Sequence, residues 1–134
     1  MKTAWMLTLL CVFAVPLATA QEQNQSVSES GNAFLTQCEL VLDRSSMKEK
    51  GDPVDAGECF GYVVGVNHGV RMAYDIVGQP QPYCLPDGVT HGQMMRVLIK
   101  FIKDHPEKAH QPTVGLEIES FMDAFPCKQP SKKR

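Results

Sequence analysis

The sequence predicts a small all-α domain of about four helices held by two intrachain disulfides. Three observations carry this: apolar residues recur at helical spacing in four segments parted by Pro- and Gly-containing links, the cysteine count is even once a removable leader is set aside, and one helix-length stretch has glycine at every fourth position.

The chain opens with Met1-Lys2, an apolar run over residues 4–17, and Ala18-Thr19-Ala20. A basic start, a short apolar core and an A-x-A ending predict a secretory signal peptide over residues 1–20, cut after Ala20. Cys11 would leave with it, and Leu10 before it is not the small residue a lipoprotein signal requires. What remains is 114 of the 134 residues, enough for one domain with a modest core. Without Lys2, 12 basic residues face 15 acidic ones, a net charge of −3, which excludes a nucleic-acid-binding surface as the main business of the chain.

Residues 21–30 are polar with one aliphatic and read as a flexible leader to the domain at residues 31–127. Phe34, Leu35, Cys38, Val41 and Leu42 then give a first amphipathic helix, capped near Gly31 or Asn32 and ending near Ser45. Residues 44–53 are charged, end in Gly51-Asp52-Pro53, and read as a surface loop.

The second helix is expected from Val54 or Asp55 to Tyr74. Tyr62-Val63-Val64 has strand character, but the length of the segment and the phase of Phe60, Val63, Val64, Val66, Val70 and Ala73 favour a helix. Gly57, Gly61, Gly65 and Gly69 would line one shallow stripe on it. Each glycine costs roughly 0.8–1.0 kcal/mol relative to alanine, so the stripe is expected to lie against something packed closely on it, either another helix of the chain or a second copy. Membrane insertion is not expected: the apolar run falls short of about 20 residues and holds Asn67, His68 and Arg71.

Gly78, Pro80 and Pro82 end this helix and begin a connector over residues 76–88. Thr90-His91-Gly92-Gln93 has the spacing of a capping box and starts a third helix, with Met94, Met95, Val97, Leu98, Phe101 and Ile102 inward and Arg96, Lys100 and Lys103 outward. His105-Pro106 stops it. Pro112 stands at the start of a fourth helix whose apolar stripe is Val114, Ile118, Phe121, Met122 and Phe125, closed by Pro126. Residues 128–134 form a basic tail, read as solvated.

Four cysteines in an exported small domain, Cys38, Cys59, Cys84 and Cys127, predict two disulfides with three formal pairings. Laying the first two helices antiparallel brings Cys38 level with Cys59. Cys84, just before the third helix, then returns to Cys127, just after the fourth. The wide spacings fit no zinc knuckle, so no metal and no cofactor are expected. His68, His91, His105 and His110 fall in no metal-binding H-E-x-x-H helix and beside no motif-spaced nucleophile. Asp52, Asp55 and Glu58 sit where a helix N-terminus favours carboxylates. No phosphate loop or nucleophile elbow occurs, and the expectation is a binding protein and not an enzyme.

The order of these marks carries a resemblance. Cys38 on an opening helix, Cys59-Phe60-Gly61-Tyr62-Val63-Val64-Gly65-Val66, Cys84-Leu85-Pro86 with Gly88-Val89-Thr90, His105-Pro106-Glu107, and Ala124-Phe125-Pro126-Cys127 together resemble the type VI secretion amidase immunity family, the Tai-type periplasmic proteins. The resemblance implies an exported helical protein of the periplasm, often a homodimer, that binds a peptidoglycan amidase toxin and blocks its active site. Inhibition of that kind needs an element that enters the enzyme's cleft. The candidates are Ser46, Met47 and Lys48 in the loop before the second helix, Gln81 and Tyr83 in the connector, and His68 beside Gly69. The glycine stripe would serve as a helix-packing or dimer seam. The alternative reading is a periplasmic helical stress protein similar in style to the acid-resistance chaperones, which would bind many unfolded clients where an immunity protein binds one folded enzyme.

Overall fold

The structure, a computed structural model, describes residues 26–42 and 52–127. The expected signal peptide, Ser46, Met47, Lys48 and the basic tail lie outside the described residues. Among those described there are four α-helices and no strand: α1 (Gly31–Cys38), α2 (Pro53–Val77), α3 (His91–Asp104) and α4 (Thr113–Ala124), with 3-10 turns at Glu39–Leu42 and Pro106–Lys108. The all-α expectation holds.

The starts of α1, α2 and α3 are each capped by a side chain, whereas α4 follows Pro112 without one. Ser30 caps α1, its side chain accepting from the amide of Ala33 at 3.2 Å. The amide of Val54 donates to Asp52 at 2.8 Å with Pro53 in the first turn, and that of Gln93 to Thr90 Oγ1 at 3.2 Å. Helix α2 ends at Gly78, whose φ of +65° is the left-handed conformation that closes helices at low cost for glycine.

Several boundaries differ from expectation. The α-helical part of the first helix stops at Cys38 and tightens into a 3-10 turn over Glu39–Leu42, and the expected end near Ser45 lies outside the described residues. Helix α2 runs one turn past Tyr74, because Asp75, Ile76 and Val77 carry no breaker and Gly78 does. The leader is not flexible throughout: residues 26–30 form a turn in which Val27 is buried, the Val27 carbonyl accepts from Thr113 Oγ1 at 2.7 Å, and the Ser28 carbonyl accepts from the Thr113 amide.

The core joins Phe34 and Cys38 of α1, Cys59 and Val63 of α2, Tyr83 of the connector, Met94, Met95, Leu98, Ile99 and Ile102 of α3, and Leu116 and Phe121 of α4. Helices α3 and α4 share the most extensive pairing. The start of α1 is seated on the link before α4, where the amides of Gly31 and Asn32 donate to the carbonyls of Gln111 and Ala109 at 3.1 and 2.8 Å. Two first-turn donors that a helix leaves unpaired thus find acceptors in another element.

The inward face of α4 is not the expected one. Val114 and Met122 are exposed, whereas Thr113, Leu116, Glu117, Ser120 and Phe121 are buried. Thr113 and Ser120 satisfy their hydroxyls on the backbone carbonyls of Val27 and Glu117, so three polar residues enter the core and hide the true phase from a count of apolar side chains. On α3 the expected face is right apart from Ile99, which is also buried, and Val97 and Phe101, which are half-buried.

The disulfides are Cys38–Cys59 and Cys84–Cys127, with Cα separations of 5.7 and 4.8 Å. This is the pairing that the helix layout suggests.

Candidate partner-binding surface

Helix α2 has 25 residues, yet only Cys59, Val63 and Asn67 are fully buried. Their spacing of four keeps the inward seam narrow, with Phe60, Tyr62 and Val70 packed at its edges. The opposite side faces away from the bundle.

That outward side carries the glycines. An ideal Cβ built on Gly57, Gly61, Gly65 or Gly69 meets nothing within 4 Å. Of the two expected partners for the stripe, another helix of the chain is therefore corrected: none of the described elements lies there. The reason is the phase of the helix, since the glycines sit about half a turn from the Cys59–Val63–Asn67 seam. At the two ends of the same side stand Val54, 73% exposed, and Met72 and Ile76, 63% and 77% exposed. Met72 and Ile76, one turn apart, thus stand as bare apolar neighbours at one end of the stripe, with Val54 separate at the other.

His68, Arg71, Met72, Asp75 and Ile76 line an open cleft at the C-terminal half of that side. Gln81 braces it, its Nε2 donating to the Arg71 carbonyl at 3.1 Å and to Asp75 Oδ1 at 2.8 Å. His68 lines the cleft, and Gln81 reaches the same face of α2 through Arg71 and Asp75. Arg71, Met72 and Ile76 were missed in the sequence, although Met72 and Ile76 stand seven and eleven residues after Gly65, in phase with the stripe.

Tyr83 does not belong to this surface. It is 3% exposed, its hydroxyl donates to Asn67 Oδ1 at 3.1 Å, and its ring meets Phe121 edge-on with centroids 5.3 Å apart. It anchors the connector in the core. The polar connector around it made it look like a loop-tip aromatic.

Below the seam lies Glu117, fully buried with both carboxylate oxygens lacking a hydrogen-bond partner among the described residues. Burial pushes its pKa up to about 9, so it is neutral at physiological pH. Burial, and secondarily the Glu117 charge, push Tyr62 and Tyr83 up to about 12. An acid–base role would need access to a substrate, which this carboxyl does not have.

Among the described residues no group of three or more His, Cys, Asp or Glu is placed to hold a metal ion, and no helix is long and apolar enough to cross a membrane. The remaining histidines are dispersed, with His105 stacked on Phe101 at 4.3 Å and its Nδ1 2.9 Å from the Phe101 carbonyl oxygen.

Searches of curated proteins and of solved structures found no match. The family model of the Rap1a immunity proteins, by contrast, matches residues 30–127, from the cap of α1 through the second cysteine of the Cys84–Cys127 pair. The protein belongs to the Rap1a immunity protein family, whose members confer immunity to type VI secretion effectors.

Proposed function

We propose that the protein acts in the periplasm as a homodimer that binds a peptidoglycan amidase effector and blocks its active site, and that it catalyses nothing itself. Family membership supplies the immunity role. The amidase follows from the Tai-type resemblance of the cysteine and glycine marks. Export is supported by the composition of residues 1–20 and by two disulfides, which persist in oxidising compartments.

The observation that carries the binding reading is the outward side of α2. Its glycine stripe, open over three turns and flanked by Val54, Met72 and Ile76, suits close approach of a partner backbone. The stripe is the proposed dimer seam. His68 and Gln81 at its C-terminal end, together with Ser46, Met47 and Lys48 in the sequence before α2, are the proposed effector contacts. Carbon-bearing side chains would hold two helices further apart along such a seam; glycines let the backbones meet.

The test is capture of periplasmic and secreted proteins on the oxidised protein, with cell-wall amidase activity then titrated against it. Loss of one amidase's activity at equimolar protein is the expected result. Capture of many unfolded clients with no inhibition would replace the reading with the chaperone alternative.

A further inference from the structure

The two disulfides stand in opposite environments. Cys38 and Cys59 are both completely buried, at 0% exposure. Cys84 is exposed and Cys127 half-buried, at the edge where the connector meets the end of α4. Thiol–disulfide exchange requires a thiolate to reach one sulfur along the bond axis, so the buried bond is closed to exchange in the folded protein and the surface bond is open to it.

The surface bond sits at a junction. The Cys84 amide donates to the Phe125 carbonyl at 2.9 Å, and Cys127 Sγ lies 3.7 Å from the carbonyl oxygen of Gln81. Gln81 is the residue whose side chain braces Arg71 and Asp75 on α2. One covalent link therefore fixes the end of α4, the connector and, through Gln81, the exposed cleft of α2. Tyr83 holds the connector to the core independently through Asn67 and Phe121.

We infer that the Cys84–Cys127 bond is a thiol-addressable clasp: a small dithiol opens it in the folded protein, loosening the connector beside α2 while the helical core and Cys38–Cys59 stay intact. The chemistry balances with the dithiol as reductant. Its thiolate attacks Cys84 Sγ and forms a mixed disulfide as the Cys127 thiolate leaves. Its second thiolate closes a ring on the first sulfur and releases Cys84. The reagent gives up two electrons, and both cysteines end as thiols after taking protons from solvent.

The experiment treats the oxidised protein with dithiothreitol at pH 8 without denaturant, traps thiols with iodoacetamide at intervals, maps the labelled peptides and follows helical circular dichroism and amide hydrogen exchange. Label is expected on Cys84 and Cys127 at least about ten-fold faster than on Cys38 and Cys59. Exchange should quicken over residues 79–89 and hold steady over residues 59–67, with the helical signal unchanged. Labelling of all four cysteines at one rate would overturn the clasp. So would opening of the bond with no change of exchange in the connector. A Cys84→Ser, Cys127→Ser variant should show the same exchange pattern without reductant. If that variant does not fold, the clasp is equally overturned, since its opening would then not be local.

Discussion

Tyr83 and Asn67, sixteen residues apart in the chain, form a buried hydrogen bond that joins the connector to the inward seam of α2. Both side chains are nearly inaccessible, and the phenol is the donor shown for the Asn67 oxygen. Replacing Tyr83 by Phe keeps the ring against Phe121 and removes only that donor. The expected cost is about 1–2 kcal/mol, seen as a fall of several degrees in Tm. Effector capture should be unchanged, because the hydroxyl faces the core; a selective loss of capture at constant Tm would return Tyr83 to the binding surface.

Glu117 makes the fold sensitive to base, not acid. Its folded pKa, raised to about 9, stands above the ordinary 4.5 of the unfolded chain, so the native state holds the proton more tightly. The sign follows: this contribution is fully present below pH 4.5, and declines by about 1.4 kcal/mol per pH unit as pH rises toward 9. Glu117→Gln should therefore gain stability over the parent as pH rises, by up to about 3 kcal/mol near pH 7, and match it near pH 4.5. Parallel Tm curves for the two proteins between pH 4.5 and 8 would show that Glu117 is not titrating out of the core. An acid-triggered chaperone would need the opposite slope.

Gly31 is the glycine whose missing side chain the fold requires. An ideal Cβ there would lie 2.6 Å from Leu116 Cδ1 and 3.1 Å from the Ala109 carbonyl oxygen. Leu116 can rotate but the carbonyl cannot, and it accepts the Asn32 amide. Gly31→Ala should cost about 1–3 kcal/mol by overpacking, read from denaturant midpoints. An unchanged midpoint would mean that α1 and the link before α4 separate more freely than their hydrogen bonds indicate.

The contrast between Gly31 and the α2 stripe shows what a sequence can convey. Four glycines in register predict a packed seam, and the structure leaves them uncovered by any described element, because periodicity does not say whether the packing partner is inside the chain. Gly31 reads in the sequence only as a candidate cap, a role that Ser30 takes in the structure, and nothing around it signals its close packing. The helices themselves were legible because Asp52, Thr90 and Gly78 fix ends by local chemistry, and the disulfide pairing followed from where those ends lie. The face of α4 was not legible, since Thr113, Glu117 and Ser120 look solvent-facing until the Val27 turn and the bundle close over them. At the candidate surface, His68 and Gln81 were read from their positions beside the stripe and in the connector. Tyr83 was misread, because only the three-dimensional return of the connector to Asn67 buries it.

The outward stripe of α2 gives the sharpest separation of folding from assembly. With nothing among the described residues within 4 Å of its Cβ position, a side chain that begins at residue 65, as in Gly65→Leu, starts in open space. Helix propensity alone should then stabilise the dilute protein by about 0.5–1 kcal/mol. On the proposed seam the same leucines would hold two α2 helices apart, so the variant should sediment at half the parent's mass at concentrations where the parent is dimeric. Tm at low concentration and mass at high concentration therefore move in opposite directions. A lower Tm at every concentration would place a covering element of the chain over the stripe. Unchanged mass would move the dimer contact off α2 and leave the stripe to the effector.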